Sequence, residues 1–247
     1  MVDGVILAGG TNIELGKQQG VRNKALIKIK GKEIIRYILE AFSAVEEMGR
    51  LAVVGPVDDL AFLQDDYGVE LIPEGDSILH NILKAQGHLQ SSNPLLISSS
   101  DIPLLTPEAV RDFLKQCFPY DYDFYYPVVR KEDSEKKIPG AKRTYVKLKE
   151  GCFTGGNIFL INPEKLEASA PMVRKFIDSR KNPLKMVSLL GPMFVLLAMS
   201  GRVSISQVES RFSALLDVKA KAIISEFAEI SFDVDKPVHI ELVHQIL

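Results

Sequence analysis

Tryptophan is absent from this chain and cysteine nearly so, with Cys117 and Cys152 the only two. Two cysteines cannot build a disulfide framework, and these have no metal-ligand spacing. Histidine is scarce as well: His80, His88, His239 and His244 fall at no spacing that would make a histidine metal site. Excess positive charge is also missing. Thirty Lys and Arg face 32 Asp and Glu, a formal charge of −2, which argues against a dedicated nucleic-acid binder. The most apolar stretch, Met186 to Met199, is 14 residues long and interrupted by Ser188, Gly191 and Pro192. A bilayer span needs ~20. Met1-Val2-Asp3-Gly4 has no basic region ahead of an apolar one, so no secretory signal is expected. There is no internal repeat, low-complexity tract or clear linker. These absences leave a cytoplasmic globular protein with no nucleic-acid or membrane partner as the expectation.

What is present is an alternation of short apolar runs and amphipathic stretches. Val5-Ile6-Leu7-Ala8 reads as a strand buried on both faces. Glu33–Met48 follows, with Ile34, Ile35, Ile38, Leu39, Phe42 and Val45 on one helical stripe. Leu51–Val54, Val69–Ile72 and Leu95–Ile97 are further strands, with helices near Leu60–Leu63, from Ser77, and from Thr106-Pro107-Glu108. That last trio combines an N-cap hydroxyl, a first-turn proline and an acid at the positive end of the dipole. The rhythm predicts an α/β fold, a three-layer arrangement around a mostly parallel sheet. Phe124–Val129 and Thr144–Leu148 read as longer, partly exposed strands joined by a solvated, salt-bridged flap. From Pro163 to about Ile230 the chain reads as mostly helical, with Ser206-Gln207-Val208-Glu209 as a capping box and Gly191-Pro192 as a break. Lys185–Met199 is expected to be core or a dimer face, with contact to a lipid-like acceptor as a remote option. A last strand is expected at Ile230–Val234. A single domain over residues 1–247, elaborated by helices at about 164–230, is the expected organisation.

Several residues stand where chemistry would be carried. Gly9 and Gly10 end the first strand, letting backbone N–H groups approach a ligand with no Cβ in the way, and ligands of open α/β sheets bind at that end. Lys24 follows in Asn23-Lys24-Ala25-Leu26. Asp101 ends the strand Leu95–Ile97 before Ile102-Pro103, where a hard oxygen donor suits Mg²⁺. Phe232-Asp233-Val234-Asp235 offers two more carboxylates; alternation puts both on one side of a strand, with Asp235 nearer its end. Thr154-Gly155-Gly156-Asn157 places tandem glycines beside an apolar strand, read either as a close approach of ligand or backbone or as a bulge or turn. Asn157 brings an amide able to bond a sugar hydroxyl.

Taken in order, Leu7-Ala8-Gly9-Gly10, Asn23-Lys24-Ala25-Leu26, Asp101-Ile102-Pro103, Gly155-Gly156-Asn157 and Asp233-Val234-Asp235-Lys236-Pro237 resemble a known family. They look like the nucleotidyltransferases similar to molybdenum-cofactor guanylyltransferase and the sugar-phosphate and methylerythritol-phosphate cytidylyltransferases. The resemblance implies a glycosyltransferase-A-like fold and Mg²⁺-dependent transfer of a nucleoside monophosphate from an NTP to a small phosphorylated acceptor, with release of pyrophosphate. It favours CTP or GTP and allows a homodimer. Carried onto this chain, Leu7, Ala8, Gly9 and Gly10 would meet the nucleotide, Lys24 would clamp the triphosphate, and Gly75 and Ser77 would help hold base or ribose. Asp101 and Asp235 would hold the metal. Lys142, Arg143, Gly155, Gly156 and Asn157 would face the acceptor.

The chain departs from the family pattern in two places. No arginine follows the glycines in Thr11–Leu15, so Lys17 or Arg22 would have to substitute, and Asn23 stands where a proline is usual. Pro237 is followed by Val238-His239, without the usual acid. A catalytically weak nucleotide-binding regulatory module is therefore the alternative expectation. A sugar-transferring glycosyltransferase would show Asp-x-Asp where Asp101-Ile102-Pro103 stands, and a dehydrogenase would show Gly-x-Gly-x-x-Gly.

Overall fold

The computed structural model of the protein describes residues 1–9, 15–16, 19–141, 143–179 and 183–247. Its strands are β1 (Val2–Leu7), β2 (Lys28–Ile29), β3 (Lys32–Glu33), β4 (Met48–Gly55), β5 (Glu70–Pro73), β6 (Leu95–Ser99), β7 (Phe124–Arg130), β8 (Val146–Leu148), β9 (Gly151–Gly155), β10 (Ile158–Ile161) and β11 (Ala220–Ser225). The main sheet runs β5-β4-β1-β6-β10-β7-β9-β8, and β11 adds to β7. Strands β5, β4, β1 and β6 are mutually parallel, β10 is antiparallel to both β6 and β7, and β11 is parallel to β7. The mostly parallel α/β sheet read from the sequence is thus the observed architecture.

Both faces of the sheet are covered, as buried parallel strands require. Ile34–Ser43 and Pro107–Cys117 pack on one face with Phe42 and Phe113 fully buried. Ile78–Leu89 and Pro163–Ser179 pack on the other, over Val5, Ile97 and Ile161. The local signals explain the helix starts. Thr106 accepts from Ala109 N–H at 3.2 Å ahead of Pro107, and Ser77 accepts from His80 N–H at 3.1 Å.

Gly155-Gly156-Asn157 resolves into a bulge. Strands β9 and β10 both pair with β7, but Val128 pairs with Gly155 while Tyr125 pairs with Leu160, so the register slips by two residues between them. The backbone remains satisfied there: Gly156 N–H donates to Pro127 O and Asn157 N–H to Ile230 O, each at 2.9 Å. A Cβ on Gly156 would lie 2.7 Å from Ile230 Cγ2 and 2.8 Å from Pro127 Cγ. One on Gly155 would overlap the Tyr126 hydroxyl.

Four expectations need correction. Ile230–Val234 is not a strand. Ala228–Ser231 forms a 3-10 turn, and Phe232–Asp235 continues without ladder pairing. The last strand is instead β11, inside the stretch read as helical. The capping box lies at Ser204 and Gln207, not at Ser206 and Glu209. The charged flap after Arg130 holds a helix, Lys131–Lys137. Helix Pro192–Met199 contains no buried residue, so it is not core. It does follow a break at Gly191, as expected.

Gly156→Val should cost ~1–3 kcal/mol through overpacking, seen as a melting temperature lower by a few degrees at about 2–4 °C per kcal/mol for a chain of this size. An unchanged melting temperature would show that the bulge tolerates a side chain.

Candidate active site

The first strand ends at an asparagine clamp. Asn23, only 4% exposed, donates from Nδ2 to Ala8 O at 2.7 Å and accepts from Ala25 N–H at 2.9 Å. It therefore caps the 3-10 turn Lys24–Leu26 and fastens that turn to the end of β1. The residue that replaces the family's proline thus fixes where Lys24 starts. Ala25 and Ile27 anchor the turn in the core. Lys24 is left to reach across the crevice, where its Nζ donates to Asp101 Oδ2 at 2.6 Å and also to Asp235 Oδ1.

Asp101 and Asp235 come together through backbone rather than strand pairing. Asp101 O accepts from Val234 N–H at 2.8 Å, which ties the loop after β6 to the segment before the C-terminal helix Pro237–Ile246. Ile230, Phe232 and Val234 are fully or almost fully buried, so Asp233 and Asp235 project away from that core; Asp235 is exposed, whereas Asp233 is largely covered. His239 clamps the same segment: its Nδ1 accepts from Asp235 N–H at 3.2 Å and lies 3.0 Å from Asp233 O. Burial holds the imidazole below its ordinary pKa, which keeps it neutral and able to accept that bond. The sequence reading noted Asn23 only as a departure from the family pattern and His239 only as a histidine at no metal spacing, and gave neither a positioning role. Their signal would have been a buried polar residue beside each end of the site.

Carboxylate oxygens of Asp101, Asp233 and Asp235 all lie within 4.8 Å of one another. Lys24 pairs with two of these acids and Arg143 with the third, Asp233. Burial alone would lower the Lys24 ammonium pKa, but the charges and bonds of Asp101 and Asp235 outweigh it and raise it. Asp235 is held down to about 2, first by the hydrogen bond it shares with Asp233 and then by Lys24. Asp233 moves the other way, to about 6, because burial and that same shared bond outweigh Arg143.

Four buried side-chain polar atoms lack a hydrogen-bond partner among the described residues: Ser99 Oγ, Asp101 Oδ1, Arg143 Nε and Asn157 Nδ2. Buried polar atoms are normally satisfied, and these four sit on or beside one carboxylate cluster. Ser99, Asp101 and Asn157 line a cavity of about 670 Å³ that also takes in Leu7, Gly9, Lys24, Gly156 and Asp235. The donor set, three carboxylates with an orphaned oxygen and an ammonium between two of them, fits a cation that prefers oxygen ligands.

The other expected residues are placed differently. Ala8 gives its N–H to Val54 O at 2.8 Å and its carbonyl to Asn23, so its main chain is engaged. A Cβ on Gly9 would meet Glu74 Oε2, and one on Gly75 would meet the His80 ring. Gly75 N–H donates to Asn81 Oδ1 at 2.6 Å. The Ser77 hydroxyl is the N-cap of Ile78–Leu89. Gly75, Ser77, Gly155 and Arg143 do not line the cavity, although Arg143 holds Asp233 and Gly155 underlies Tyr126. Tyr126 lines it and was not foreseen; burial raises its phenol pKa. Gly10, Lys17 and Lys142 lie outside the described residues. Arg22 is described, but it neither lines the cavity nor forms an ion pair there among the described residues.

Two outcomes are expected. Asn23→Ala would orphan Ala8 O and Ala25 N–H, costing ~1–3 kcal/mol, and denaturant unfolding would detect it. Unaltered stability would mean that water replaces the clamp. For Asp233, a native pKa above the unfolded value of 3.8 means that its contribution is fully present below that value and lost as pH rises through about 6. Asp233→Asn should therefore flatten the stability of the ligand-free protein between about pH 4 and 6. An unchanged slope in that window would contradict the assignment.

Residues 4–194 match the family described as the MobA-like NTP transferase domain. Among solved structures, one described as a hypothetical transferase from Thermus thermophilus is 32% identical, with a TM-score of 0.88, over 97% of this chain and 99% of that one. CMP:2-keto-3-deoxy-manno-octonic acid synthetase complexed with CTP superposes with a TM-score of 0.63 at 12% identity, over 100% of this chain and 98% of that one. A 4-diphosphocytidyl-2C-methyl-D-erythritol synthase from Anaerococcus prevotii DSM 20548 gives a TM-score of 0.60 at 11% identity, over 99% and 95%. The last two likenesses are of fold. No curated protein matches the chain by sequence. With the sheet, the carboxylate cluster and the motif order in agreement, the chain belongs to the MobA-like NTP transferase domain family.

Proposed function

We propose that the protein is an NTP-dependent nucleotidyltransferase that moves a nucleoside monophosphate onto a phosphorylated acceptor. The observation that carries this reading is the Lys24 ammonium held between Asp101 and Asp235 at the carboxyl ends of β1 and β6, inside the cavity. Open α/β sheets bind ligands at that edge. The orphaned Asp101 Oδ1 and the stand-in ammonium support Asp101 and Asp235, with Asp233 beside them, as the residues that would hold Mg²⁺. A divalent ion bound there would supply charge neutralisation for the triphosphate.

The chain's own residues do the rest. Leu7 and Gly9 border the triphosphate end of the crevice, and Lys24 pivots from its carboxylates onto the β- and γ-phosphates. An acceptor phosphate oxygen attacks the α-phosphorus, and the bond from that phosphorus to the bridging oxygen breaks. The electron pair leaves with pyrophosphate, whose charge Lys24 stabilises. The acceptor phosphate is already ionised, so no residue need remove a proton. Asn157 and Tyr126 face the acceptor side, and Asn157 Nδ2 has a donor to spare. The CTP bound to the superposable synthetase supports CTP as the first nucleotide to try, with GTP next.

A second reading, nucleotide binding with little turnover, draws support from the same bridge, since Lys24 must leave two carboxylates to serve a phosphate. Pyrophosphate release across four NTPs and a panel of acceptor phosphates separates the two readings. Lys24→Ala should lower kcat/KM by roughly 10²–10³-fold, the loss typical of one preorganised charge-stabilising donor, with the melting temperature retained. Wild-type NTP affinity and turnover in that variant would overturn the role given to Lys24. NTP-induced stabilisation of the wild type without turnover on any acceptor would select the second reading.

A further inference from the structure

The cavity does not stop at the carboxylates. Strand alternation sends Phe159 and Ile161 of β10 and Phe124 and Tyr126 of β7 to one face, with Asn157 of the bulge just before β10 beside them, so the floor changes from polar to aromatic and aliphatic along its length. The roof is the helix Pro163–Ser179, whose Leu166, Ser169, Val173, Phe176 and Ile177 recur at helical spacing and all line the same space. Phe212 and Leu216 of Ile205–Leu216 close the far end, with the Phe176 and Phe212 rings 4.7 Å apart edge to face. Apolar side chains therefore line the stretch beyond Asn157.

The polar groups along this stretch are few: the Tyr126 hydroxyl, Asp123, Asn162, Lys165 and Ser169, three of them with a side-chain bond to the chain's own backbone. Asp123 Oδ2 accepts from Lys219 N–H at 2.8 Å and Asn162 Oδ1 from Glu164 N–H at 3.0 Å. Ser169 Oγ donates back to Lys165 O at 2.8 Å, and Lys165 itself is exposed. A sugar in this channel would bury hydroxyls with little to bond, a cost of roughly 1–3 kcal/mol for each unpaired group. A nucleobase would meet the same objection. A hydrocarbon chain would not, since it only needs to leave water. Between these two helices in the chain, Pro192–Met199 has the same character at the surface: Met193, Leu196 and Met199 are 68%, 63% and 80% exposed.

Resting on the nucleotidyltransferase reading above, we infer that the acceptor is an amphiphile, the phosphate monoester of an apolar alcohol. Its phosphate lies at Asn157 and the carboxylate cluster, and its tail occupies the channel under Val173, Phe176 and Phe212. Transfer forms one phosphoanhydride bond between acceptor oxygen and α-phosphorus and breaks one, so the product is a nucleoside diphosphate ester of the apolar alcohol, with pyrophosphate released. The cavity volume of about 670 Å³ is within the 300–1,000 Å³ usual for ligand sites.

The test is a homologous series of n-alkyl monophosphates, methyl to decyl, used below their micelle concentrations with each NTP and Mg²⁺, alongside polar sugar phosphates. Pyrophosphate release gives KM, and thermal shift gives binding. The expected result is a KM and Kd that fall about four-fold for each methylene, the fold-change equivalent of ~0.8 kcal/mol per buried CH₂, until the chain reaches the end wall. Val173→Trp should shorten the optimal chain, and Phe176→Ala should lengthen it, a change of selectivity that mere destabilisation would not produce. If Val173→Trp fails to fold, Phe176→Ala and the wild-type series still decide. Turnover of sugar phosphates with no dependence on alkyl chain length overturns the amphiphile and leaves the transferase reading standing. Length-dependent binding of alkyl phosphates with no pyrophosphate release from any NTP keeps the channel assignment and overturns the transferase reading. Absence of length-dependent binding in every assay overturns the inference.

Discussion

The ammonium of Lys24 between Asp101 and Asp235 is the contact on which the rest of the site depends. It draws together the turn after β1, the loop after β6 and the segment before the last helix, three regions far apart in the chain. Without a cation there, three carboxylates crowded within 4.8 Å would repel one another at a partly buried position. With it, the group is tolerable but not comfortable, because burying charge costs nearly as much as pairing it returns. The opposite displacements of the Asp233 and Asp235 pKa values express that tension.

Around this contact the protein spends neutral hydrogen bonds on position. Asn23 fastens the lysine turn to Ala8, Val234 fastens Asp235 to Asp101, and His239 accepts from the backbone N–H of Asp235. The Gly156-Asn157 bulge swings the Asn157 amide into the cavity while its backbone stays bonded to Ile230. Among the described residues, four unpartnered polar atoms remain in the middle of this frame. In the proposed reading, a polar ligand would satisfy that open centre.

Much of this was legible in the residues. Apolar runs announced β1, β4 and β6; Thr106-Pro107 announced a helix start; and Lys24, Asp101 and Asp235 were picked out before they were found together. The failures have physical causes. Ile230, Phe232 and Val234 do alternate and are buried, but burial of alternate residues does not supply a neighbouring strand, and among the described residues none pairs with them. Ala220-Lys221-Ala222 has the composition of a helix, yet its register against Phe124-Tyr125-Tyr126 makes it β11, a case of tertiary pairing overriding propensity. Ser204 and Ser206 both have a capping-box partner three residues on, and spacing alone could not choose between them. Asn23 was noted as a departure from the family, but its meaning depended on Ala8, fifteen residues earlier and adjacent only after folding.

If Lys24 holds the place of a metal-bound charge in the ligand-free protein, then removing it should free that place. The most direct measurement is Mn²⁺ binding, followed by the loss of free-ion electron paramagnetic resonance signal, in the absence of nucleotide. Lys24→Met should bind one Mn²⁺ at least ten-fold more tightly than the wild type, a difference of about 1.4 kcal/mol, and adding Asp101→Asn to it should abolish the gain. Equal Mn²⁺ affinity in the wild type and Lys24→Met would contradict the claim that these carboxylates form a cation site.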